Sequence, residues 1–388
     1  MHILKLPSGR QMPVLWFWSR IISPHMAALA VALGRRGCAV TYVAEEPMSR
    51  ERLRTGWATP ALPGITLLIM STADAAAQFA LGAPKDAVHI TQGVRSNGLV
   101  GNAQRQLESD GRSYWVVMEK VDEFGWCKFF KRLVYRNVFW RRRRCLAGVL
   151  AIGRGTDRWV RARGVPGSKI FKFAYFLSEP AADSVAPASD VALDLTPFKV
   201  IFVGRLIALK RVDLLIQALA ELPAALASNV HLTIVGDGPL ESSLRELAER
   251  RLGDRVEWKG RLSMGDARRE MNRADCLVLP SRHDGWGAVV SEALMAGVPA
   301  ISSDACGASE VILASGVGGV FHDGDVAALS RLLARHIAAG PISNDARLKL
   351  AHWGRRLGGD AGAVYLLEVL ARTHAVGARP VPPWNLAG

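Results

Sequence analysis

The chain has 388 residues, 49% hydrophobic and 22% charged, which suits two folded domains and excludes a disordered or low-complexity chain. No run reaches the roughly 18 apolar residues of a membrane-spanning helix, and the first residues lack the basic start and apolar run of a secretory leader, so a cytoplasmic setting is expected. The net charge is +14, but residues 1–190 hold 27 Lys and Arg against 14 Asp and Glu, while the remainder holds 22 against 21. The first half is therefore expected to face something anionic. Cys38, Cys127, Cys145, Cys276 and Cys306 are odd in number and form no C-x-x-C pair, so reduced thiols are expected rather than a disulfide framework or zinc site.

Along the chain, 14–18 is apolar and aromatic and predicts a strand. Residues 26–33 have helical spacing, 34–37 break it, and 39–43 predict a second strand. Residues 181–194, rich in Ala, Ser, Asp and Pro, read as a hinge. The second half then alternates regularly. Strands are predicted at 200–203, 231–235, 256–259, 276–279 and 299–302, with helices at 212–222, 240–252, 265–273 and 287–295 between them. Such alternation predicts parallel βαβ units with both sheet faces covered. Two doubly wound domains would face each other across a cleft, with ligands beyond the carboxyl ends of the strands. An apolar-periodic helix over 361–373 follows, and Pro380, Pro382 and Pro383 end regular structure.

Two loops after strands hold candidate chemistry. In the first, Gly204 allows close backbone approach, Arg205 offers a planar fork to phosphate, and Lys210 adds a point charge. The plain alternative is two solvated cations at a helix start, an arrangement that opposes the helix dipole. The second loop runs Pro280-Ser281-Arg282-His283-Asp284-Gly285-Trp286-Gly287 and leads into Glu292-Ala293-Leu294 and Gly297-Val298-Pro299. Its glycines free amides at a helix start to face an anion. Asp284 and Glu292 can accept hydrogen bonds from sugar hydroxyls. Their alternatives are a helix N-cap for Asp284 and a solvated helix face for Glu292. The apolar neighbours of Glu292 argue that its carboxylate needs a partner.

The Asp284-x7-Glu292 spacing resembles the E-x7-E signature of family-four retaining glycosyltransferases of the GT-B fold. So do Gly204-Arg205-x4-Lys210, Gly236-Asp237-Gly238-Pro239, Ala274-Asp275 and Pro280-Ser281, in order and spacing. Asp284 replaces the usual Glu, keeping the charge but shortening the reach. The resemblance covers about 198–325 and implies a set of roles. Arg205 and Lys210 would bind a donor diphosphate, and Glu292 the nucleotide ribose. Asp284, with the amides of Gly285, Trp286 and Gly287, would hold the transferred sugar and its phosphate. Gly236 and Ser281 complete the donor side. Such enzymes retain anomeric configuration and need no metal. The donor would be a nucleotide-diphosphate sugar of UDP or GDP type, with no further cofactor. Asp323-Gly324-Asp325 has the D-x-D form of a metal motif in another glycosyltransferase fold, but it reads better as a turn and N-cap.

On the acceptor side the resemblance points to residues after the first strand. His25 is the candidate there, counted with Asp284, Arg205 and Lys210 as catalytic. Glu119 and Asp122, after 115–118, are further acceptor candidates. The stretch with Lys128, Phe129, Phe130, Lys131, Arg132, Trp140, Arg141 and Arg142 is basic and aromatic with helical spacing. It predicts a helix lying on an anionic membrane surface.

The expected architecture is α/β, GT-B, with two Rossmann-like domains. Residues 1–185 form the acceptor side, 195–360 the donor side, and 361–388 a helix crossing back plus a tail. The expected partners are a nucleotide sugar, a glycan or lipid-linked acceptor and an anionic membrane surface, with the protein peripheral at the inner face. No nucleic acid is expected, because the phosphate-cradle motifs sit in the nearly neutral half. The rival readings are a non-catalytic sugar-binding protein on the same fold and a basic nucleic-acid-binding protein.

Overall fold

The computed structural model describes residues 12–54, 56–70, 72–95, 98–123, 128–179, 197–372 and 378–386. The predicted hinge over 181–194, Cys127, and the last predicted helix residue, 373, lie outside them. The chain divides into two units: one takes in 1–54, 58–178 and 358–388, the other 55–57 and 179–357.

The first unit holds a parallel seven-stranded sheet. Its strands are β1 (Val14–Ile21), β2 (Ala39–Glu46), β3 (Thr66–Ile69), β4 (Val88–Gln92), β5 (Tyr114–Glu119), β6 (Leu146–Ile152) and β7 (Ile170–Phe173). Their order is β3-β2-β1-β4-β5-β6-β7. Apart from β4, which carries His89, Thr91 and Gln92, the inner strands are largely apolar, as a sheet covered on both faces requires. Trp18, Val43, Val116 and Val149 are among the residues of one buried cluster. Two polar side chains inside this core bond to each other and to the sheet: Gln104 Nε2 donates to Thr91 Oγ1 at 2.8 Å, and Thr91 Oγ1 donates to the Trp115 carbonyl at 3.1 Å. The helix Gly359–Arg372 belongs to this unit although it follows the second one in sequence. It packs on the helix Pro24–Arg35, and its Tyr365 hydroxyl donates to the Lys172 carbonyl at 2.9 Å.

The second unit holds β8 (Phe198–Val203), β9 (Val230–Val235), β10 (Val256–Gly260), β11 (Cys276–Leu279), β12 (Ala300–Ser303) and β13 (Gly318–Phe321). The six strands are parallel in the order β10-β9-β8-β11-β12-β13. Strand order reverses between β8 and β11, the position at which open parallel sheets place ligands beyond the carboxyl ends of their strands. Asp275 secures this point: its Oδ2 accepts from the Lys199 backbone N–H at 2.8 Å, tying the start of β11 to β8. Every strand predicted in the second half is present, with ends moved by two residues at most. Asp325 Oδ1 accepts from the Ala328 amide at 2.8 Å and caps the helix Val326–Ala339. Among the described residues no group of His, Cys, Asp and Glu side chains is arranged to hold a metal ion. No described helix is long and apolar enough to cross a membrane. Cys38, Cys145, Cys276 and Cys306 are free thiols.

Candidate active site

The two candidate loops leave β8 and β11, the strands on either side of the reversal. They are bonded together, since the Arg282 amide donates to the Leu209 carbonyl at 2.9 Å. The loop after β9 packs underneath. There the Leu206 amide donates to the Asp237 carbonyl at 2.8 Å and Leu240 N–H to the Leu206 carbonyl at 3.1 Å. Gly236 has φ 136°, and a Cβ at this position would collide with the Gly204 carbonyl. The glycine pair therefore lets two strand ends approach as no other residue allows.

Lys210 Nζ lies 2.5 Å from Asp284 Oδ2, and both side chains are only partly exposed. Asp284 is held from the backbone: its amide donates to the Ala305 carbonyl at 3.3 Å, and its carbonyl accepts from Gly307 N–H at 2.9 Å. The helix Ala288–Met295 starts four positions after Asp284, following Gly287 in a left-handed conformation with φ 89°. Among the described residues the amides of Gly285, Gly287 and Ala288 donate no hydrogen bond. These donors at a helix start carry the positive end of its dipole.

Glu292 lies on that helix, half-buried among Val290, Ser291 and Ala293. Its partner is Arg268, from the helix Met264–Asn272. Arg268 Nε and Nη2 both donate to Glu292 Oε1, at 3.2 and 2.9 Å. Sequence reasoning missed Arg268. It is one of several cations on a charged helix, and only the tertiary fold brings it to a carboxylate 24 positions away.

The remaining donor-side candidates divide by exposure. Arg205 is exposed, and its charge helps lower the pKa of Asp237. The larger cause is Arg261, whose guanidinium bonds both Asp237 oxygens. The Trp286 indole is buried, donating to Ser291 Oγ at 3.1 Å, so Trp286 offers the loop only its main chain. Ser281 is also fully buried, and its carbonyl accepts from Ser303 Oγ. Burial lifts the Cys306 thiol to about 12, with the Asp284 carboxylate adding to the effect, and its Sγ donates to the Trp286 carbonyl at 3.0 Å. Cys306 is thus a packing group beside Asp284 rather than a nucleophile.

In the first unit, His25 stacks on Tyr175 with ring centroids 4.8 Å apart. Glu119 ends β5, and the Asp122 carbonyl accepts from Lys131 Nζ at 2.8 Å. The ionic centre of this region is the neighbouring Glu123. It accepts from Trp159 Nε1 at 2.8 Å and from Arg132 Nε and Nη2 at 3.1 and 3.0 Å, and it pairs with buried Arg163. Burial pushes the Glu123 carboxyl up, but the hydrogen bonds from Arg132 and Trp159 and the Arg163 charge together hold it below its ordinary value.

The helix Lys128–Arg142 has two faces. Tyr135, Val138 and Phe139 pack on the core, while Phe129, Phe130, Leu133, Val134 and Trp140 are exposed, Phe130 at 63% and Trp140 at 61%. Arg136, Arg141, Arg143 and Arg144 are exposed beside them. Arg142 turns inward instead. It donates to Gln104 Oε1 and, at 3.3 Å, to the Tyr114 hydroxyl, and pairs with Glu108 at 3.4 Å. Of the predicted surface cations, Arg142 is thus internal, and Arg132 and Lys131 are spent on local acceptors.

These two sheets and their strand orders define an α/β chain of the GT-B type. The fold is similar to that of Anabaena HepE, solved in complex with UDP. The TM-score is 0.69 at 15% identity, covering 92% of this chain and 99% of that one. Residues 188–350 match the family described as glycosyl transferases group 1. An alpha-D-kanosaminyltransferase of Streptomyces kanamyceticus is 30% identical over 177 residues, 44% of this chain and 45% of that protein. A GDP-mannose-dependent monoacylated alpha-(1-6)-phosphatidylinositol monomannoside mannosyltransferase of Corynebacterium glutamicum is 36% identical over 137 residues, 34% of this chain and 35% of that protein. The chain thus spans less than half the length of these two curated relatives.

Proposed function

We propose that this protein is a retaining glycosyltransferase that moves a sugar from a UDP- or GDP-type donor to a hydroxyl acceptor. The observation that carries the reading is the cluster at the strand reversal of the second sheet: Lys210 paired with Asp284 beside unengaged amides at a helix start. That combination suits an anion next to hydroxyl groups. Lys210, Arg205 and the amides take up the diphosphate charge that develops as the glycosidic bond breaks. Asp284 accepts from the sugar hydroxyls, and Glu292 from the ribose. These groups supply the stabilisation without a divalent ion. His25, Glu119 and Asp122 are assigned to the acceptor side.

The relatives support a glycan or glycolipid acceptor, since one is named for a phosphatidylinositol mannoside. The exposed face of the helix Lys128–Arg142 supports a membrane-surface location. It combines large apolar side chains with arginines, the composition that partitions into an anionic interface. The working site is the cytoplasmic face of the membrane.

A thermal-shift screen against UDP- and GDP-sugars tests the donor assignment, because a ligand that binds the folded state raises the melting temperature. A rise with one nucleotide family and none with nucleosides is expected. No rise with any nucleotide sugar would remove the assignment.

A further inference from the structure

We infer that Arg268 is a positioning residue that turns Glu292 into a receptor for a vicinal diol, and so sets a preference for ribose over deoxyribose in the bound nucleotide. The inference rests on the nucleotide-sugar reading above, and it concerns a residue to which the sequence pattern assigns no role.

The geometry is asymmetric. A guanidinium facing a carboxylate commonly spreads its two N–H donors over both oxygens. Here Arg268 Nε and Nη2 converge on Oε1 at 3.2 and 2.9 Å. An ionised carboxylate accepts about four hydrogen bonds, two on each oxygen. Arg268 therefore fills Oε1, and among the described residues nothing donates to Oε2. A cis-diol offers two hydroxyl donors in a fixed relation, which matches the capacity left.

The support for this orientation is built from two helices. Glu292 lies on a helix whose neighbouring residues Val290, Ser291, Ala293 and Leu294 are buried, so its backbone is fixed. Its side chain still has free torsions, and among the described residues Arg268 is the group that holds it. Arg268 itself stands on the helix Met264–Asn272, which Ser263 caps by accepting from the Asp266 amide at 3.1 Å. Removing the guanidinium releases the carboxylate without touching the cations or amides that face the diphosphate.

Titration calorimetry on the full chain, with UDP, GDP and their 2′,3′-dideoxy counterparts, tests this. Wild type is expected to favour the ribonucleotide by on the order of 10- to 100-fold, the range for losing charge-assisted hydrogen bonds. Arg268→Met is expected to bring the two affinities together by weakening the ribonucleotide alone. Arg268→Lys, which keeps a cation but not the fork, is expected to recover part of the preference. Arg268 is 38% exposed on a helix surface, so both variants should fold, which their melting curves check. An Arg268→Met ratio equal to wild type, or a parallel loss for ribo and dideoxy ligands, overturns the assignment and leaves the donor reading standing. A wild-type chain that binds none of the four overturns both.

Discussion

Lys210 and Asp284 stand 2.5 Å apart although 74 positions separate them, and their contact joins the loops after β8 and β11. Each side chain is partly screened from water, so the pair is more than a surface ornament. On the proposed reading, a donor phosphate would compete for Lys210 and release Asp284 toward neighbouring hydroxyls. Lys210→Ala is therefore expected to slow transfer about 100-fold, the typical cost of removing one preorganised donor to developing charge. Single-turnover transfer with a saturating donor measures it. A near wild-type rate would detach Lys210 from the chemistry.

Gly287→Ala should damage the scaffold rather than the charge balance. Gly287 has φ 89°, and an added Cβ would sit 2.7 Å from Cys306 Sγ and 2.8 Å from Leu279 Cδ2. Backbone strain and overpacking then act together, and a loss of about 2–4 kcal/mol is expected. Urea unfolding measures this, and a change within error would show that the loop relaxes freely.

How much of this was legible beforehand differs between the halves. In the second unit, strands such as β8 and β11 are short apolar runs stopped by Gly204 or Pro280, so their period and ends could be read directly. In the first, β4 carries His89, Thr91 and Gln92, whose polarity hides a buried strand. Their partners, among them Trp18, Gln104 and Ser19, are distant in sequence. The same limit applied to the sites. The spacing of Asp284 and Glu292 was visible, but Arg268 and Glu123 meet their ionic partners only through contacts across elements. The helix at 128–142 showed its cations and aromatics, yet packing alone decides that Arg142 points inward.

His89 makes a pH prediction for stability. It is fully buried and its Nδ1 accepts from Trp18 Nε1 at 3.1 Å. Burial lowers its pKa from 6.5 to about 3, and the Arg112 charge acts in the same direction. Between these values the unfolded chain binds a proton that the folded chain refuses. The resulting stability is present above 6.5 and lost as pH falls toward about 3. One proton corresponds to a slope of about 1.4 kcal/mol per pH unit. His89→Gln should lose less stability than wild type between about pH 6 and about pH 4. Equal losses would show that His89 does not carry the effect.

The exposed face of the helix Lys128–Arg142 should bind anionic vesicles. Cosedimentation with phosphatidylglycerol vesicles, but not with pure phosphatidylcholine, is expected, and it should weaken with added salt. Phe130→Asp combined with Trp140→Asp should abolish it, since both side chains are largely exposed and support little of the core. Undiminished binding by the double variant would place the contact elsewhere.

The most direct test of the central claim is release of nucleoside diphosphate from a panel of UDP- and GDP-sugars, with a hydroxyl acceptor or water, in the presence of EDTA. Turnover with at least one donor is expected, undiminished by the chelator and reduced to background in Asp284→Ala. Background release by wild type with every donor, or equal rates in wild type and Asp284→Ala, would contradict it.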